Sequence, residues 1–262
     1  MGNNKSARTK SEPEIDPKSE SELRKARRIY YKEKDEFLAS LICVPYQVNL
    51  EEKRPNTTRF VVASDTHNQA SQIPIVPAGD VFIHAGDFTD WGTAEETNEF
   101  KSFLSGLPHA HKVFIAGNHD KLLLDPLREK EVRAFFADEN CTFLNNEQLT
   151  INGINIYGIS WIKNTDISSL QTLYSKIPKE TDVLVTHNPP LGYGDMVMQK
   201  HTGDYELAKA VKNTRPRYHV FGHVHENPGI QTDEQTVYVN AAVCNRQLVA
   251  VNVPIVFDIE NK

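Results

Sequence analysis

The chain has 262 residues, enough for one large α/β domain with extensions or for two small domains. Apolar residues make up 39% of it and charged residues 24%, a composition that excludes a disordered chain, and no apolar run reaches the length of a membrane-spanning helix. The formal net charge of −6 disfavours a stable nucleic-acid complex, because it gives no long-range attraction to a polyanion. Three scattered cysteines predict neither a disulfide framework nor a cysteine-based zinc site, so we expect reduced thiols in a cytoplasmic protein.

The first 56 residues differ from the rest of the chain. They carry 12 Lys and Arg against 10 Asp and Glu, a net of +2, whereas residues 57–262 carry a net of −8. Residues 1–21 have few apolar side chains, which predicts a disordered tail. Residues 22–56 are predicted to be an amphipathic helix, over Glu22 to Leu41, followed by a linker. This helix either packs on the domain that follows or binds a membrane surface or partner, and its mixed charges favour packing.

The first residues of the chain match the N-myristoylation pattern, in which Gly2 is followed by Ser6. One myristoyl chain gives only marginal membrane binding, and Lys5, Arg8 and Lys10 would add attraction to an anionic surface. The alternative is an ordinary flexible N-terminus. The sequence therefore predicts a cytoplasmic protein that associates with a membrane if Gly2 is acylated, which the mass of the N-terminal peptide from eukaryotic cells would test.

From Arg59 onwards the chain alternates short apolar runs with helical patterns. Thr93 to Glu96 is a capping box that opens a helix between two of these runs, which predicts a β-α-β unit. The order of elements indicates an α/β fold with added antiparallel hairpins. The predicted elements are strands at 59–64, 80–86, 112–117, 183–186, 218–221, 236–240 and 255–258, helices at 96–105, 127–136 and 205–212, and a hairpin over 148–157 that turns at Asn152-Gly153.

Polar residues follow the ends of five predicted strands. Because ligands bind outside the carboxyl ends of strands in open α/β sheets, these residues are expected to meet in one cleft. Imidazole and carboxylate groups without thiolates suit Mn, Fe or Zn. The fragments are Asp65-Thr-His67, Gly86-Asp87, Gly117-Asn118-His119-Asp120, Thr186-His187 and Gly222-His223-Val-His225.

Each of these fragments is weak evidence alone, because Asp-x-His or Gly-Asp is commonly a turn or a cap. By the same reasoning His84 and His219, each a lone histidine in a predicted strand, are interpreted as structural residues rather than ligands. His223 and His225 would point to opposite sides of an extended chain, which suits two metals better than one. The glycines before Asp87, Asn118 and His223 are expected where backbone approaches the site closely.

Taken in order, the fragments resemble the calcineurin-like metallophosphoesterase superfamily, whose pattern runs Asp-x-His, Gly-Asp-x4-Gly, Gly-Asn-His-Asp/Glu, a lone His and Gly-His-x-His. The runs at 186–192, 219–226, 238–242 and 254–258 are similar to the brain-type metallophosphoesterase-domain family, related to class III cyclic nucleotide phosphodiesterases. The resemblance extends over roughly Thr57 to Asp258. It implies a four-layer αββα β-sandwich flanked by helices, in a metallophosphoesterase domain over 57–262.

The resemblance also implies a centre of two divalent metal ions, with Mn²⁺ foremost and Fe or Zn as alternatives. His119 matches the catalytic histidine of the superfamily that binds no metal, and Asp120 stands where a carboxylate could orient it. Asp87 would be the ligand that both ions share. The implied ligands are Asp65, His67, Asp87 and His225 for one ion, and Asp87, Asn118, His187 and His223 for the other.

Two such ions would lower the pKa of a shared water, and the implied reaction is attack of a metal-bridging hydroxide on phosphorus. The expected substrate is a small phosphodiester, with cyclic nucleotides as the leading class. A phosphomonoesterase or protein phosphatase of the same fold, and a metal-binding scaffold of low activity, are the alternatives. Trp91 either stacks on a nucleobase of the substrate or simply packs against neighbouring side chains. Substrate contacts are predicted at Asn68, Trp91, Asn118 and His119, and Asp90, Asn188 and Tyr193 also adjoin the ligands.

Overall fold

The structure is a computed structural model that describes residues 17–47, 53–137, 140–163 and 166–262. Predictions for Gly2 and for the tail up to residue 16 lie outside the described residues. No helix within these ranges has the length and apolar character needed to cross a membrane. The helices are α1 Pro17–Ala39, α2 Ala94–Gly106, α3 Glu129–Phe136, α4 Ile167–Tyr174 and α5 Tyr205–Thr214. The strands are β1 Val44–Pro45, β2 Thr57–Ala63, β3 Val81–His84, β4 His111–Phe114, β5 Cys141–Phe143, β6 Glu147–Ile151, β7 Ile154–Ile159, β8 Val183–Thr186, β9 Met196–Val197, β10 Lys200–His201, β11 Tyr218–Phe221, β12 Gly229–Thr232, β13 Val237–Asn240 and β14 Ile255–Glu260.

The chain divides into two compact units, and the described part of the first, which ends at Ser40, is α1. This helix begins at Pro17 rather than at the predicted Glu22, so residues 17–21 are helical and do not belong to a disordered tail. Proline suits a first helical turn, because the N–H that it lacks would have no helical partner there. The prediction began late because the apolar spacing on which it depended starts only at Leu23.

The second unit runs from Leu41 to Lys262, so it begins inside the segment predicted as helix and linker rather than at residue 57. The reason is β1, which pairs antiparallel with β12 and places Val44 opposite Thr232. Part of the predicted linker is therefore an edge strand of the domain.

Two sheets face each other in this second unit. One has seven strands in the order β1-β12-β13-β11-β8-β7-β6, and the other has five in the order β14-β2-β3-β4-β5. Side chains alternate between the two faces of each strand. In β2, for example, Phe60 and Val62 join the core between the sheets, whereas Val61 and Ala63 join a second core on the outer face. The core between the sheets also contains Val81, Ile83, Val113, Ile156, Val183, Val185, Val220, Val239, Phe257 and Ile259.

Helices cover both outer faces of the sandwich. Phe100 of α2 and Phe136 of α3 pack on Phe114 of the five-stranded sheet, with ring centroids 5.7 and 4.6 Å from it. On the other side, Leu207 of α5 shares a core with Phe221 of the seven-stranded sheet. The four layers are therefore helix, sheet, sheet and helix, which confirms the predicted αββα architecture.

Two local predictions are also confirmed. Thr93 caps α2 by accepting from the Glu96 N–H while the Glu96 carboxylate accepts from Thr93, and β3, α2 and β4 form the expected parallel unit. The hairpin of β6 and β7 turns at Asn152 and Gly153, both with positive φ (51° and 79°) as a type I′ turn requires. The predicted helix over 127–136 begins slightly later, at Glu129.

The sequence predicts that the strands preceding the polar fragments share one open sheet, and the structure contradicts this. β2, β3 and β4 lie in the five-stranded sheet, whereas β8 and β11 lie in the seven-stranded sheet. The two groups meet because a backbone bridge joins Ser64, just after β2, to Ala242, just after β13. The polar residues therefore converge where two facing sheets end, and not along one sheet edge.

Candidate metal centre

The backbone turns sharply at four residues of the polar fragments. Asp65, His67, Asp87 and His223 have φ values of 54°, 42°, 54° and 68°, in the left-handed region that residues other than glycine seldom adopt. Such conformations cost about 1–3 kcal/mol each and persist where the surrounding structure enforces them, commonly at functional sites. His223 is thus not in an extended segment, and the expectation that His223 and His225 alternate across a strand is wrong.

One cluster of donor atoms is formed by Asp65, His67 and His225. The Nε2 atoms of His67 and His225 lie 3.2 Å apart, and His225 Nε2 lies 3.4 Å from Asp65 Oδ1. One donor atom from each of the three residues lies within 4.8 Å of the others. Asp65 and His67 are buried, so these polar atoms have little access to water.

A second cluster is formed by Asp87, His187 and His223, whose donor atoms also lie within 4.8 Å of one another. His187 Nε2 is 3.2 Å from Asp87 Oδ2 and 3.0 Å from Asn118 Oδ1. Asp87 Oδ2 lies 4.0 Å from His67 Nε2 of the first cluster. Asp87 therefore stands between the two clusters, where a shared ligand would be.

Backbone carbonyls fix the orientation of two of these imidazoles. His187 Nδ1 lies 2.9 Å from the Ala85 carbonyl oxygen, and His225 Nδ1 lies 3.0 Å from that of Asn245. A carbonyl only accepts hydrogen bonds, so each Nδ1 carries a hydrogen and each Nε2 faces the cluster as the ring atom that would bind a metal ion once it carries no proton. Donor atoms and carboxylates this close together repel one another unless a proton or a metal cation lies between them, so these residues fit divalent metal ions.

The charged groups in the centre shift one another's pKa values. Burial lowers the pKa of His187, but the charge of Asp87 outweighs it and raises the pKa to about 9. Burial raises the pKa of Asp65, but the hydrogen bond from His225 and the charge of His187 bring it well below its usual value. A proton on His187 thus balances the carboxylates until a metal ion takes its place, and metal binding releases that proton.

Glycine is required at all three of the close approaches expected from the sequence, and at Gly86 a Cβ would collide with the Gly117 backbone and with His187 Nδ1. A Cβ on Gly117 would collide with the Asp87 carboxylate, and a Cβ on Gly222 would collide with Asp65 and with the Ser64 side chain. Gly117 and Gly222 let backbone lie directly against the two carboxylates. Any side chain at either position would displace a predicted ligand.

His119 lies at the mouth of the centre, with a side chain that is 36% exposed. Its Nδ1 is 2.6 Å from the carbonyl oxygen of Asp90, so Nε2 is the ring atom left for other contacts. The ring stands edge to face with that of His67, at a centroid distance of 4.7 Å. A donor atom of His119 also falls within 4.8 Å of His67 and Asp87, so the geometry permits a catalytic role or a ligand role.

Asp120 does not orient His119, contrary to the prediction. Its carboxylate accepts hydrogen bonds from the N–H groups of Asp87, Thr89 and Gly117 at 2.8 to 3.0 Å, and from the Thr89 hydroxyl at 2.7 Å. It is fully buried, and both of its oxygens are taken up by these hydrogen bonds rather than by the His119 ring. The group that holds His119 is the carbonyl of Asp90, and Asp120 instead holds together the two loops that carry Asp87 and Asn118.

The other residues predicted to contact substrate lie in different surroundings. Asn68 has a positive φ of 60° and lines a cavity next to α2. Trp91 is 69% exposed, with Lys121 Nζ 5.8 Å from its ring centroid. Tyr193 is buried and stacked on Tyr238 at 3.8 Å, which makes it a core residue rather than part of the cleft.

Two buried histidines outside the centre are structural, as the sequence indicates. His84 Nε2 lies 3.1 Å from the Thr66 hydroxyl, and His219 Nε2 lies 2.9 Å from that of Thr186. Burial lowers the pKa of each histidine to about 3, so both are neutral. Each histidine contacts a threonine that adjoins a predicted ligand, and so stabilises the end of the strand there rather than binding metal.

Sequence reasoning missed Asn245, which shapes the loop behind His225. Its side-chain oxygen accepts from the N–H groups of Gln247 and Val249, at 2.9 and 3.1 Å, and so holds the turn whose carbonyl orients His225. An Asn-x-Gln-x-Val run after a strand is the one available signal, since asparagine often caps such turns.

Replacing Asn245 by Ala is expected to weaken Mn²⁺ binding by about 10- to 100-fold, because the carbonyl that orients His225 is no longer held. Metal titration followed by calorimetry measures this. Asn252→Ala is the matched control: Asn252 donates to the Ala242 carbonyl in the same loop region, at 3.0 Å, without touching His225. Equal affinities for the Asn245 variant and the control would contradict the role of the turn.

Comparisons with known proteins agree with this geometry. The family model of calcineurin-like phosphoesterases matches residues 58–227. Metallophosphoesterase domain-containing protein 1 of Homo sapiens is 38% identical over 239 residues, which span 79% of this chain and 72% of the human protein. A UPF0046 protein of Caenorhabditis elegans is 38% identical over 229 residues, covering 78% of this chain and 82% of the nematode protein.

A solved crystal structure shares the fold, with a TM-score of 0.59 and 13% identity over 79% of this chain and 100% of its own. The family model spans the strands that carry all of the predicted ligands, from Asp65 to His225. The chain therefore belongs to the calcineurin-like phosphoesterase family and is a metal-dependent phosphoric ester hydrolase.

Proposed function

We propose that the chain hydrolyses small phosphodiesters, with cyclic nucleotides as the leading class of substrate. The observation that carries the proposal is the pair of donor clusters on either side of Asp87, which would hold two metal ions. The relatedness of the motif runs to class III cyclic nucleotide phosphodiesterases supports the choice of substrate.

The donor set favours a particular class of metal. It consists of imidazole nitrogens, carboxylates and one amide oxygen, with no thiolate, and suits Mn²⁺ first and Fe or Zn as alternatives. The assigned ligands are those that the sequence predicts, with Asp87 shared. When bound by these residues, two such ions would lower the pKa of a water that acts as the nucleophile and would neutralise the charge of the phosphate.

The remaining work falls to residues of the chain. His119, held by the Asp90 carbonyl through Nδ1, presents Nε2 to the mouth of the centre, where it can deliver a proton to the departing oxygen. Asn118 places its amide oxygen 3.0 Å from His187 Nε2, so its amide NH₂ group is available to a phosphate oxygen. Asp120 acts only as a positioning residue for the loop backbone.

Two other activities are compatible with the same residues. A phosphomonoesterase or protein phosphatase would use the same centre on a different ester, and a scaffold of low activity would bind metal without efficient turnover. The acidic body of the protein, net −8 over residues 57–262, disfavours a long polyanion such as RNA over a mononucleotide. We therefore place a small diester first and expect no stable nucleic-acid complex.

Hydrolysis of bis-p-nitrophenyl phosphate and of p-nitrophenyl phosphate with added Mn²⁺ separates the three possibilities. We expect the diester to be hydrolysed with the higher kcat/KM, and addition of a chelator to abolish its turnover. Preference for the monoester would favour the phosphatase. No turnover of either ester by protein that has bound its metal would favour the scaffold.

A further inference from the structure

A groove of about 500 Å³ opens beside Asn118, the predicted ligand of the second metal. Its volume lies within the range of sites that bind small molecules. Apart from Asn118, the residues around it have no part in the chemistry described above. The lining consists of Asn118, Lys121, Leu124, Asp125, Trp161, Ile162 and Lys163.

Trp161 is held at a fixed place relative to the metal centre. Its backbone N–H donates a hydrogen bond of 2.8 Å to the carbonyl of Ala116, which lies two residues before Asn118. The hydroxyl of Ser160 accepts from the Ala116 N–H at 3.0 Å and donates to the Leu144 carbonyl at 3.1 Å. Trp161 follows β7 of one sheet and is thus bonded to the end of β4 of the other sheet. The backbone at Trp161 and the start of the Asn118 loop are therefore joined by hydrogen bonds between the two sheets.

The groove has the chemical character of a slot for a flat, anionic ligand. Trp161 offers an aromatic face, and Leu124 and Ile162 give the slot apolar sides. Two lysines, Lys121 and Lys163, against one carboxylate, Asp125, give the lining a net positive charge in a domain whose net charge is −8. An aromatic face next to cationic side chains is the usual combination for holding a base and its phosphate.

Trp91, which the sequence singles out for stacking, is less suited to that task. It is 69% exposed, and Lys121 Nζ lies over its ring, 5.8 Å from the centroid. Trp161 instead lies in the groove itself, in contact with the same cavity as the metal ligand Asn118. The structure thus offers a different indole from the one that the motif suggests.

We propose that this groove is the subsite for the nucleobase of the substrate, with the base stacked on Trp161 while its phosphate reaches the metal centre beside Asn118. The inference rests on the proposed function and sharpens it: substrates carry an aromatic base. Because every base presents a flat face, stacking of this kind tolerates changes of base. Trp161 then determines specificity for nucleotides over other phosphate esters and takes no part in bond cleavage.

Competitive inhibition of bis-p-nitrophenyl phosphate hydrolysis tests this, with adenosine monophosphate and ribose 5-phosphate as inhibitors that differ by the base. Trp161→Ala is expected to raise the inhibition constant of adenosine monophosphate about 10-fold and to leave that of ribose 5-phosphate within about twofold. Trp161→Phe keeps an aromatic face and should retain most of the affinity. Leu127→Ala is the control, since Leu127 is 93% exposed and outside the groove.

A binding measurement keeps the inference separate from the proposed activity. The chain has two tryptophans, so Trp91→Phe leaves Trp161 as the one indole. Adenosine monophosphate should quench its fluorescence and ribose 5-phosphate should not. Failure to hydrolyse any ester would count against the proposed function and leave this measurement intact.

Three results would overturn the subsite. They are an absence of quenching, an equal loss of affinity for both inhibitors in Trp161→Ala, and tighter quenching by phosphotyrosine than by adenosine monophosphate. The last would assign the groove to the aromatic side chain of a phosphoprotein.

Discussion

Asp87→Ala is expected to lose both metal ions and to lower hydrolysis of phosphate esters by at least about 10³-fold. The carboxylate lies between the two donor clusters, 3.2 Å from His187 Nε2 and 4.0 Å from His67 Nε2, so its removal takes a ligand from each. Metal ions contribute several kcal/mol of transition-state stabilisation, and each 1.4 kcal/mol is a factor of ten in rate. The metal content of the purified variant, measured by mass spectrometry, is the direct readout.

Thermal stability gives a second readout that needs no turnover. A metal ion that binds the folded protein at 100 times its Kd adds about 2.7 kcal/mol to the free energy of unfolding. Mn²⁺ should therefore raise the Tm of the unmodified chain and leave that of Asp87→Ala unchanged. Without metal, the variant also loses the hydrogen bond that Asp87 Oδ1 accepts from the His119 N–H at 2.7 Å.

Two further variants separate metal loss from unfolding. Asp87→Asn keeps an acceptor for the His119 N–H while it removes the charge, so it should fold and still lose metal. Asp258→Ala is the matched control: this carboxylate pairs with Arg59 at 2.8 Å and belongs to neither cluster. Two ions per chain in Asp87→Ala would show that Asp87 does not bridge them.

The donor clusters could be predicted from sequence because their signal is local. Asp65 and His67, or Gly117 and Asn118, stand next to the ends of apolar strands, and strand ends place such residues at one end of the fold. The assignment of each residue to one metal or the other, and the catalytic role of His119, stay predictions until metal is measured.

The sequence could not show that two sheets form the centre. Which strands become neighbours depends on contacts far apart in the chain: β8 pairs with both β7 and β11, so Val183 lies opposite Ile156 on one side and Tyr218 on the other. A short apolar run carries no mark of the sheet that it joins. The same limit explains why β5, with three residues, and β1, with two, were not predicted.

The residues that orient the ligands were also beyond the sequence. His187 and His225 are held by the carbonyls of Ala85 and Asn245, and a carbonyl belongs to every residue, so no side chain marks it. The prediction that Asp120 orients His119 failed for the opposite reason, because here a side chain did mark the position. It adjoins His119 in sequence, but the left-handed turn at Asp87 brings the N–H groups of Asp87 and Thr89 onto its carboxylate, and the N–H of Gly117 in its own loop donates to it as well.

His119→Ala is expected to retain both metal ions and to lower kcat by about 10²- to 10⁴-fold on a substrate with an alkoxide leaving group, such as a cyclic nucleotide. The reason is the direction of the ring, because Nδ1 is occupied by the Asp90 carbonyl at 2.6 Å and Nε2 is the atom free to deliver a proton. The ring is also 36% exposed at the mouth, unlike the buried imidazole of His187. Metal content and kcat are measured on the same preparation.

The choice of leaving group makes the test specific to proton transfer. Nitrophenolate departs readily without a proton, whereas a ribose alkoxide does not, so the loss in His119→Ala should be much smaller for bis-p-nitrophenyl phosphate than for 2′,3′-cyclic adenosine monophosphate. His111→Ala is the control, since His111 is an exposed histidine at the start of β4, outside the clusters.

A ligand role for His119 makes the opposite forecast, because a lost metal ion would slow both substrates together and appear as a lower metal content. That forecast is a real alternative, as a donor atom of His119 lies within 4.8 Å of those of His67 and Asp87.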